Sequence, residues 1–210
     1  MKYAVVIYHK NVNSYPRQWI DKCVESLEFQ TDQDFEVFEL EYGNALSHHS
    51  ILQSKFEGRK HYHNVEFSNH ADAMNYIYSK AFLLCDVVFN VNIDDYYSVQ
   101  RISQQKKWLE FYDIVSSDYR QVINEEEGNT EHLAAHDINM LFNNLNVVSN
   151  PCHAMHKRVF EKQKFNPELI PREDLEYWKQ AVQNDFKIGI IPSVLHYYRI
   201  HGTQVGKGNS

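Results

Sequence analysis

Residues 87–97 read VVFNVNIDDYY, an apolar run that ends in two aspartates followed by two tyrosines. Valines and phenylalanine at this density are typical of a strand buried within a sheet. In open α/β sheets, ligands bind beyond the carboxyl ends of the strands. The segment therefore predicts a central strand that delivers Asp94 and Asp95 to a ligand-binding edge.

The flanking sequence has a strand–helix–strand pattern. Residues 3–8 (YAVVIY) are apolar and predict a buried first strand. Pro16 is predicted to begin a helix, because the apolar residues that follow it in the sequence recur at helical spacing. Residues 35–40 predict a second strand, and this βαβ unit begins an α/β fold with a central, mostly parallel sheet. Further strands are predicted at 65–67, 87–93, 113–119, 187–191 and 195–198, helices at 71–84, 99–111, 156–161 and from 172–174, and an exposed loop at 124–132.

The composition limits what the chain can be. Its 210 residues suit one domain, predicted at 1–203 with a flexible tail at 204–210. A formal net charge of −7 argues against binding nucleic acid through phosphates and suits a divalent cation. No apolar run approaches the roughly 18 residues of a membrane span, and the N-terminal run is too short for a signal peptide. Three dispersed cysteines fit a reducing compartment, so a cytoplasmic location is expected.

Two acidic segments carry side chains suited to catalysis, and each also has a purely structural interpretation. Asp94 and Asp95 are hard ligands for Mg²⁺ or Mn²⁺, or else part of a solvated turn. Glu173 and Asp174 begin a predicted helix, where the helix dipole alone already favours carboxylates.

Two further candidate segments are NHADAMN at 69–75 and HYYRIHG at 196–202. The first places polar groups at a helix N-terminus, which suits phosphate or hydroxyl binding but is also explained by capping by Asn69 or Asp72. In the second, Arg199 can hold a phosphate and His201 can ligate a metal, unless the strand faces water at a sheet edge.

Several common catalytic motifs are missing from the sequence. It contains no GxSxG elbow, no GxxxxGK[ST] phosphate loop and no GxGxxG motif, which disfavours serine hydrolases, P-loop enzymes and nicotinamide dehydrogenases. His132 and His136 have the spacing of a zinc hydrolase, but no Glu lies between them. The histidine pairs at 48–49 and 61–63 are expected in a surface loop.

In this order, the segments resemble an inverting family 2 glycosyltransferase of the GT-A fold, a Rossmann-like α/β/α sandwich, over residues 3–202. AVVIYHKN (4–11) resembles the family's first strand and nucleotide-facing loop, and HADAMNYIYSKA (70–81) its Lys-Ala-Asp-Ala-Leu-Asn helix. CDVVFNVNIDDYY (85–97) resembles the strand that ends in the DXD motif. PREDLEYWKQA (171–181) is similar to the Glu-Asp motif, and YYRIHG (197–202) to the closing Tyr-Arg-x-His.

The resemblance implies metal-dependent transfer of a sugar from a nucleotide donor, UDP-linked, to an acceptor hydroxyl. Asp94 would bind the Mn²⁺ or Mg²⁺ on the donor diphosphate, with Asp95 in support and His201 completing the metal site. Asp174 would be the general base, with Glu173 as the second candidate. Contacts to the nucleotide sugar are expected from His9, Lys10, Asn11, Glu41, Asp72, Asn75, Asn92, Asp94 and Arg199.

Three positions depart from the family pattern. Asn92 stands where the first Asp of the DXD motif is usual, Glu41 where an Asp commonly contacts uracil, and His70 replaces a Lys. Two other functions stay open: a sugar-phosphate nucleotidyltransferase, although no Gly-rich loop follows the first strand, and a non-catalytic module that binds a sugar nucleotide. The sequence does not specify whether the acceptor is a glycan, a lipid-linked molecule or a protein, nor whether a homodimer forms.

Aromatic residues beside the two acidic motifs are further candidates. Tyr96 and Tyr97 follow Asp95 directly, and Tyr177 and Trp178 lie one turn beyond Asp174. Aromatic rings stack well on sugars, so these four are expected to contact the substrate, while most other aromatic residues should be core.

Overall fold

A computed structural model describes residues 1–43, 49–53 and 55–202, which contain nine strands and five α-helices. The strands are β1 (Tyr3–Lys10), β2 (Glu36–Tyr42), β3 (Lys60–Val65), β4 (Val87–Asn92), β5 (Tyr96–Tyr97), β6 (Ile114–Ile123), β7 (Glu126–Glu131), β8 (Ala154–His156) and β9 (Ile188–Arg199). The α-helices are α1 (Arg17–Glu28), α2 (His70–Leu84), α3 (Arg101–Trp108), α4 (Lys157–Lys162) and α5 (Glu173–Gln183). Short 3-10 helices lie at Val12–Ser14, Leu133–Ala135, Ile138–Asn143, Asn150–Cys152 and Pro167–Leu169. None of the described helices is long and apolar enough to cross a membrane.

The strands form one sheet in the order β3-β2-β1-β4-β8-β6-β9-β5, and β7 pairs with the C-terminal half of β6. The pairs β1–β2, β2–β3, β1–β4 and β6–β9 are parallel, whereas β5, β7 and β8 run in the opposite direction. The predicted α/β fold with a mostly parallel central sheet is therefore confirmed.

Apolar side chains on both faces of the sheet form two cores. On one face, Ala4 and Val6 of β1 pack with apolar residues of α2 and α5. On the other face, Val5 and Ile7 pack with apolar residues of α1 and α3. Because successive side chains of a strand point to opposite faces, β1 must be apolar throughout to be buried on both. The layers are thus helix, sheet and helix.

Parallel pairing brings the carboxyl ends of β1, β2 and β4 to one edge of the sheet. In this register Tyr8 lies beside Asn92, and His9 lies beside Glu41. The chain winds from β1 outward to β2 and β3 and then returns to place β4 on the other side of β1. A crevice at such a reversal of strand order is the usual ligand site of an open α/β sheet.

The exposed loop predicted at 124–132 is instead largely a strand. β7 pairs antiparallel with β6 and is exposed over most of its length, so its polar composition is that of an edge strand. Asn124 and Glu125 form the hairpin turn, with φ angles of 52° and 67°. Consecutive positive φ angles are typical of tight hairpin turns.

Two other stretches also differ from the prediction. The separate strands predicted at 187–191 and 195–198 are one strand, β9, because register shifts opposite Asp118 accommodate Pro192 and Ser193. The strand predicted at 65–67 lies earlier, as β3 at Lys60–Val65, and shares only Val65 with the prediction. His61 and His63 therefore lie in a half-buried strand and not in a surface loop. His48 and the predicted tail at 204–210 lie outside the described residues.

Gly189 of β9 lies where a side chain has no room. A Cβ atom there would lie 2.7–3.0 Å from three ring atoms of Tyr112. We expect Gly189→Ala to lower the free energy of unfolding by about 1–3 kcal/mol, because the aromatic ring must move to relieve the overlap. Urea denaturation measures this, and Gly128→Ala is the matched control, since its nearest contact is 3.6 Å away. Equal stability of the two variants would contradict the prediction.

Candidate active site

A cavity of about 410 Å³ opens at the carboxyl edge of the sheet. Its walls come from the ends of β1 and β4, the N-termini of α2 and α5, the segment 146–151 and the residues after β9. The predicted site residues that line it are His9, Lys10, Asn92, Asp94, Glu173, Asp174 and His201. The two acidic motifs, which lie far apart in the sequence, therefore face one cavity.

Asp94 and His201 form one wall of this cavity. Oδ2 of Asp94 lies 2.9 Å from Nε2 of His201, and the Trp19 ring packs on the imidazole with 5.1 Å between ring centres. A carboxylate oxygen and an imidazole nitrogen are both ligands that Mn²⁺ accepts, and a bound diphosphate can supply further ones. These two residues thus fit a divalent cation, although the described residues contain no group of three or more metal-binding side chains.

Asp95 lies behind Asp94 and does not border the cavity in the described structure. It is completely buried, its Oδ1 accepts a hydrogen bond from the backbone N–H of Arg199 at 2.9 Å, and its Oδ2 pairs with Nε2 of His196 at 3.0 Å. Burial and the neighbouring Asp94 raise the pKa of Asp95 well above its usual range. Both oxygens of Asp95 thus have protein partners, and its place at the metal stays a prediction.

Arg199 also stabilises the loop that contains Asp94 and Asp95. Its Nη1 donates to the backbone oxygen of Asp94 at 2.6 Å, and its Nε donates to Oε1 of Glu125 at 3.2 Å. The side chain is 1% exposed and is not among the described cavity-lining residues. These contacts tie the Asp94–Asp95 loop to the β6–β7 hairpin, while the phosphate contact of Arg199 stays a prediction.

The N-terminus of α5 presents the second acidic motif. Oδ2 of Asp174 accepts from Nδ2 of Asn146 at 2.9 Å, and Oδ1 accepts from the backbone N–H of Leu175 at 2.6 Å. Burial, and secondly the charge of Glu173, raise the pKa of Asp174 to about 6. A carboxylate whose pKa lies close to neutral pH is suited to accept a proton during a reaction.

The end of β1 brings a histidine and a lysine to the cavity. Nε2 of His9 lies 3.1 Å from Oε1 of Glu39, and within the described chain the cavity-lining His9 has no partner at Nδ1. Lys10 follows in the cavity wall. Asn11 comes next, in a left-handed conformation, and is not one of the described lining residues. The His9 side chain is 0% exposed and lies against Glu39, so Lys10 is the charged side chain that β1 offers to a ligand.

Glu41 lies near this edge of the sheet but outside the described lining. Its side chain is buried, and Oε2 accepts a hydrogen bond from Oη of Tyr62 at 2.8 Å. The structure thus joins β2 to β3 through the residue that was expected to contact the nucleobase.

Asp72 and Asn75 stabilise α2 and its surroundings. Oδ1 of Asn69 accepts from the backbone N–H of Asp72 at 2.9 Å, so the capping interpretation accounts for this pair. The Asn75 amide makes two hydrogen bonds, 2.8 Å and 3.0 Å long, with the backbone of Phe165. Neither Asp72 nor Asn75 lines the cavity in the part of the chain that the structure describes, whereas His70 of the same helix does.

The sequence did not identify several of the residues that line the cavity. The four aromatic residues that were expected to contact the substrate, Tyr96, Tyr97, Tyr177 and Trp178, are buried in the protein interior. Nearness to an acidic motif did not predict their orientation, because neighbouring side chains of a strand or helix point in different directions. Further lining residues are Tyr8, Tyr15, Tyr42, Ile93, Tyr119, Leu133, Asn146, Val148, Ser149, Asn150, Pro151, Pro171 and Tyr198.

A serine, a histidine and an aspartate form a hydrogen-bonded chain beside the cavity. Oγ of Ser149 lies 3.1 Å from Nδ1 of His196, whose Nε2 lies 3.0 Å from Asp95. The order of residues is that of a catalytic triad, but the two ring nitrogens are exchanged, because a triad histidine contacts the serine through Nε2 and the aspartate through Nδ1. Burial also lowers the pKa of His196 to about 3, and an imidazole that resists protonation is a poor base for a serine hydroxyl. The three hydrogen-bonded residues therefore fit a structural role better than serine hydrolysis.

This architecture has counterparts among solved structures. The crystal structure of S. aureus TarS 1–349 in complex with UDP aligns with a TM-score of 0.73 and 16% identity, over 95% of this chain and 61% of that one. The same protein in complex with UDP-GlcNAc aligns with a TM-score of 0.74 and 16% identity, over 100% of this chain and 62% of that one. The fold is a Rossmann-like GT-A fold.

The GT-A chain spans about three fifths of the length of these two TarS structures. No protein-family model matches its sequence, and no curated protein matches it either. At 16% identity the likeness establishes the GT-A fold, while the function has to be argued from the cavity.

Proposed function

We propose that this GT-A chain transfers a sugar from a nucleotide-sugar donor, UDP-linked, to an acceptor hydroxyl with inversion at the anomeric carbon. The observation that carries the proposal is that one cavity is bordered both by Asp94 with His201 and by Asp174, although Asp94 and Asp174 lie 80 positions apart in the sequence. The fold adds support, because S. aureus TarS, a glycosyltransferase, has been solved with UDP and with UDP-GlcNAc.

The donor side of the cavity lies at the ends of β1 and β4. Lys10, which lines the cavity, supplies a positive charge for a diphosphate. Asp94 and His201 hold Mn²⁺ or Mg²⁺ in this proposal. Such a cation stabilises the negative charge that the leaving nucleoside diphosphate develops.

The acceptor side is formed by Asp174, which Asn146 orients through its hydrogen bond to Oδ2. Asp174 removes the proton of the acceptor hydroxyl while that oxygen forms a bond to the anomeric carbon. The bond between that carbon and the diphosphate oxygen breaks, and its electron pair leaves with the nucleoside diphosphate. A single displacement of this kind inverts the anomeric centre.

A donor screen tests the proposal directly. Purified protein is incubated with individual nucleotide sugars and Mn²⁺ or Mg²⁺, and released nucleoside diphosphate is measured with and without EDTA. We expect metal-dependent release of UDP from at least one UDP-sugar. Release of pyrophosphate from UTP and a sugar phosphate would instead indicate a nucleotidyltransferase. UDP binding in calorimetry without turnover of any donor would indicate a non-catalytic module.

A further inference from the structure

His70 and Glu173 form an ion pair in the cavity wall next to the proposed base. Nε2 of His70 contacts Oε1 of Glu173, and the two side chains are 19% and 5% exposed. The other oxygen of Glu173, Oε2, is buried and has no hydrogen-bond partner among the described residues. The pair joins the N-terminus of α2 to the N-terminus of α5 at the position of Asp174.

This arrangement places two adjacent carboxylates, Glu173 and Asp174, in one poorly hydrated wall. Two like charges at such a site disfavour each other's ionised form. The other groups that face Asp174 are neutral: the Asn146 amide, and the Tyr198 phenol, whose pKa is raised by burial. On α5, Lys179 is paired with Glu176 and Asn144. His70 is therefore the group whose protonation can offset the charge of Glu173.

We propose that His70 is a positioning residue whose protonated imidazole neutralises Glu173 and so allows Asp174 to ionise and serve as the base near neutral pH. The inference rests on the proposed role of Asp174 in glycosyl transfer. The electrostatic contributions agree in sign with it, since Glu173 raises the pKa of Asp174 and His70 lowers it. A lysine at position 70 would supply the same charge at every pH, whereas a histidine supplies it only while it is protonated.

The pH profile of kcat/KM separates this role from a merely structural one. In His70→Gln, we expect the acidic limb of the profile to move upward by roughly 1 pH unit, because the charge of Glu173 is no longer offset. His70→Lys should keep the wild-type limb, and His70→Gln combined with Glu173→Gln should restore it. A structural role would instead lower the rate at every pH, and removing the Glu173 charge would not rescue it.

A second measurement is independent of turnover. Carboxyl ¹³C NMR titration of the folded protein follows Asp174 directly, with Asp174→Asn identifying its signal. We expect the midpoint to be higher in His70→Gln than in the wild type and unchanged in His70→Lys. An identical midpoint in the wild type and His70→Gln overturns the inference, even where sugar transfer is observed. A shifted midpoint without turnover of any donor upholds the charge coupling and counts against the proposed function alone.

Discussion

Replacing Asp174 with Asn is expected to lower kcat for sugar transfer by about 10²–10⁴-fold, which is the usual contribution of a general base. The amide has nearly the same shape as the carboxylate, but the variant cannot accept the acceptor's proton. The measurement is UDP release at saturating donor and acceptor at pH 7.5. Binding of UDP with Mn²⁺, followed by calorimetry, should stay unchanged.

The stability of the same variant provides its control. Because the pKa of Asp174 is raised from 3.8 to about 6 in the folded protein, its protonated form stabilises the fold. That contribution is complete below pH 3.8 and is lost as the pH rises through about 6. At pH 7.5 the neutral Asn should therefore raise the free energy of unfolding, by at most about 2 kcal/mol since the side chain still borders the cavity.

A variant that is inactive and also more stable excludes misfolding as the cause of the lost activity. Glu173→Gln is the matched comparison, and it should lose less activity than Asp174→Asn. If Asp174→Asn keeps near-normal kcat while Glu173→Gln does not, the base is Glu173 and the assignment to Asp174 is wrong.

Replacing Asp94 with Asn is expected to lower kcat/KM by about 10²–10³-fold through loss of charge stabilisation at the diphosphate. The change keeps the size of the side chain but removes the negative charge that pairs with His201. Calorimetry with UDP should show strong Mn²⁺ dependence in the wild type and little in the variant. Released UDP, measured over a range of donor concentrations, gives the change in kcat/KM.

The matched control is Asp34→Asn, because the Asp34 side chain is 89% exposed and is not among the described cavity-lining residues. It should behave as the wild type in both assays. Tight, Mn²⁺-dependent binding of UDP by Asp94→Asn would remove Asp94 from the metal site. Together, the two active-site variants should separate binding from chemistry: Asp94→Asn loses Mn²⁺-dependent binding of UDP, and Asp174→Asn keeps that binding but turns over far more slowly.

The sequence predicted the parts of the site that depend on strand ends. Asp94 follows a buried strand directly, and parallel strands bring their carboxyl ends to one edge, so local pattern and sheet geometry together placed it correctly in the cavity wall. The pattern could not tell which of the two aspartates faces that cavity. Asp95 is turned inward by His196 and Arg199, which lie more than 100 positions away in the chain.

Other parts of the site escaped prediction for similar physical reasons. The segment 146–151 carries no motif, and Asn146 reaches Asp174 only through tertiary packing. Asp72 was a candidate ligand because its helix resembles a known motif, yet the local capping signal with Asn69 describes its contacts better. The strand β7 was missed because an edge strand that faces water has the composition of a loop.

Arg199 links the interior of the protein to its surface. One end of its guanidinium holds the backbone of Asp94 in a buried position, while the other meets Glu125, whose side chain is 39% exposed on the hairpin turn. Dissolved salt screens exposed charges far more than buried ones. We therefore expect the order of the Asp94 loop to depend on the ionic strength of the surrounding solution through Arg199, without any ion having to enter the cavity.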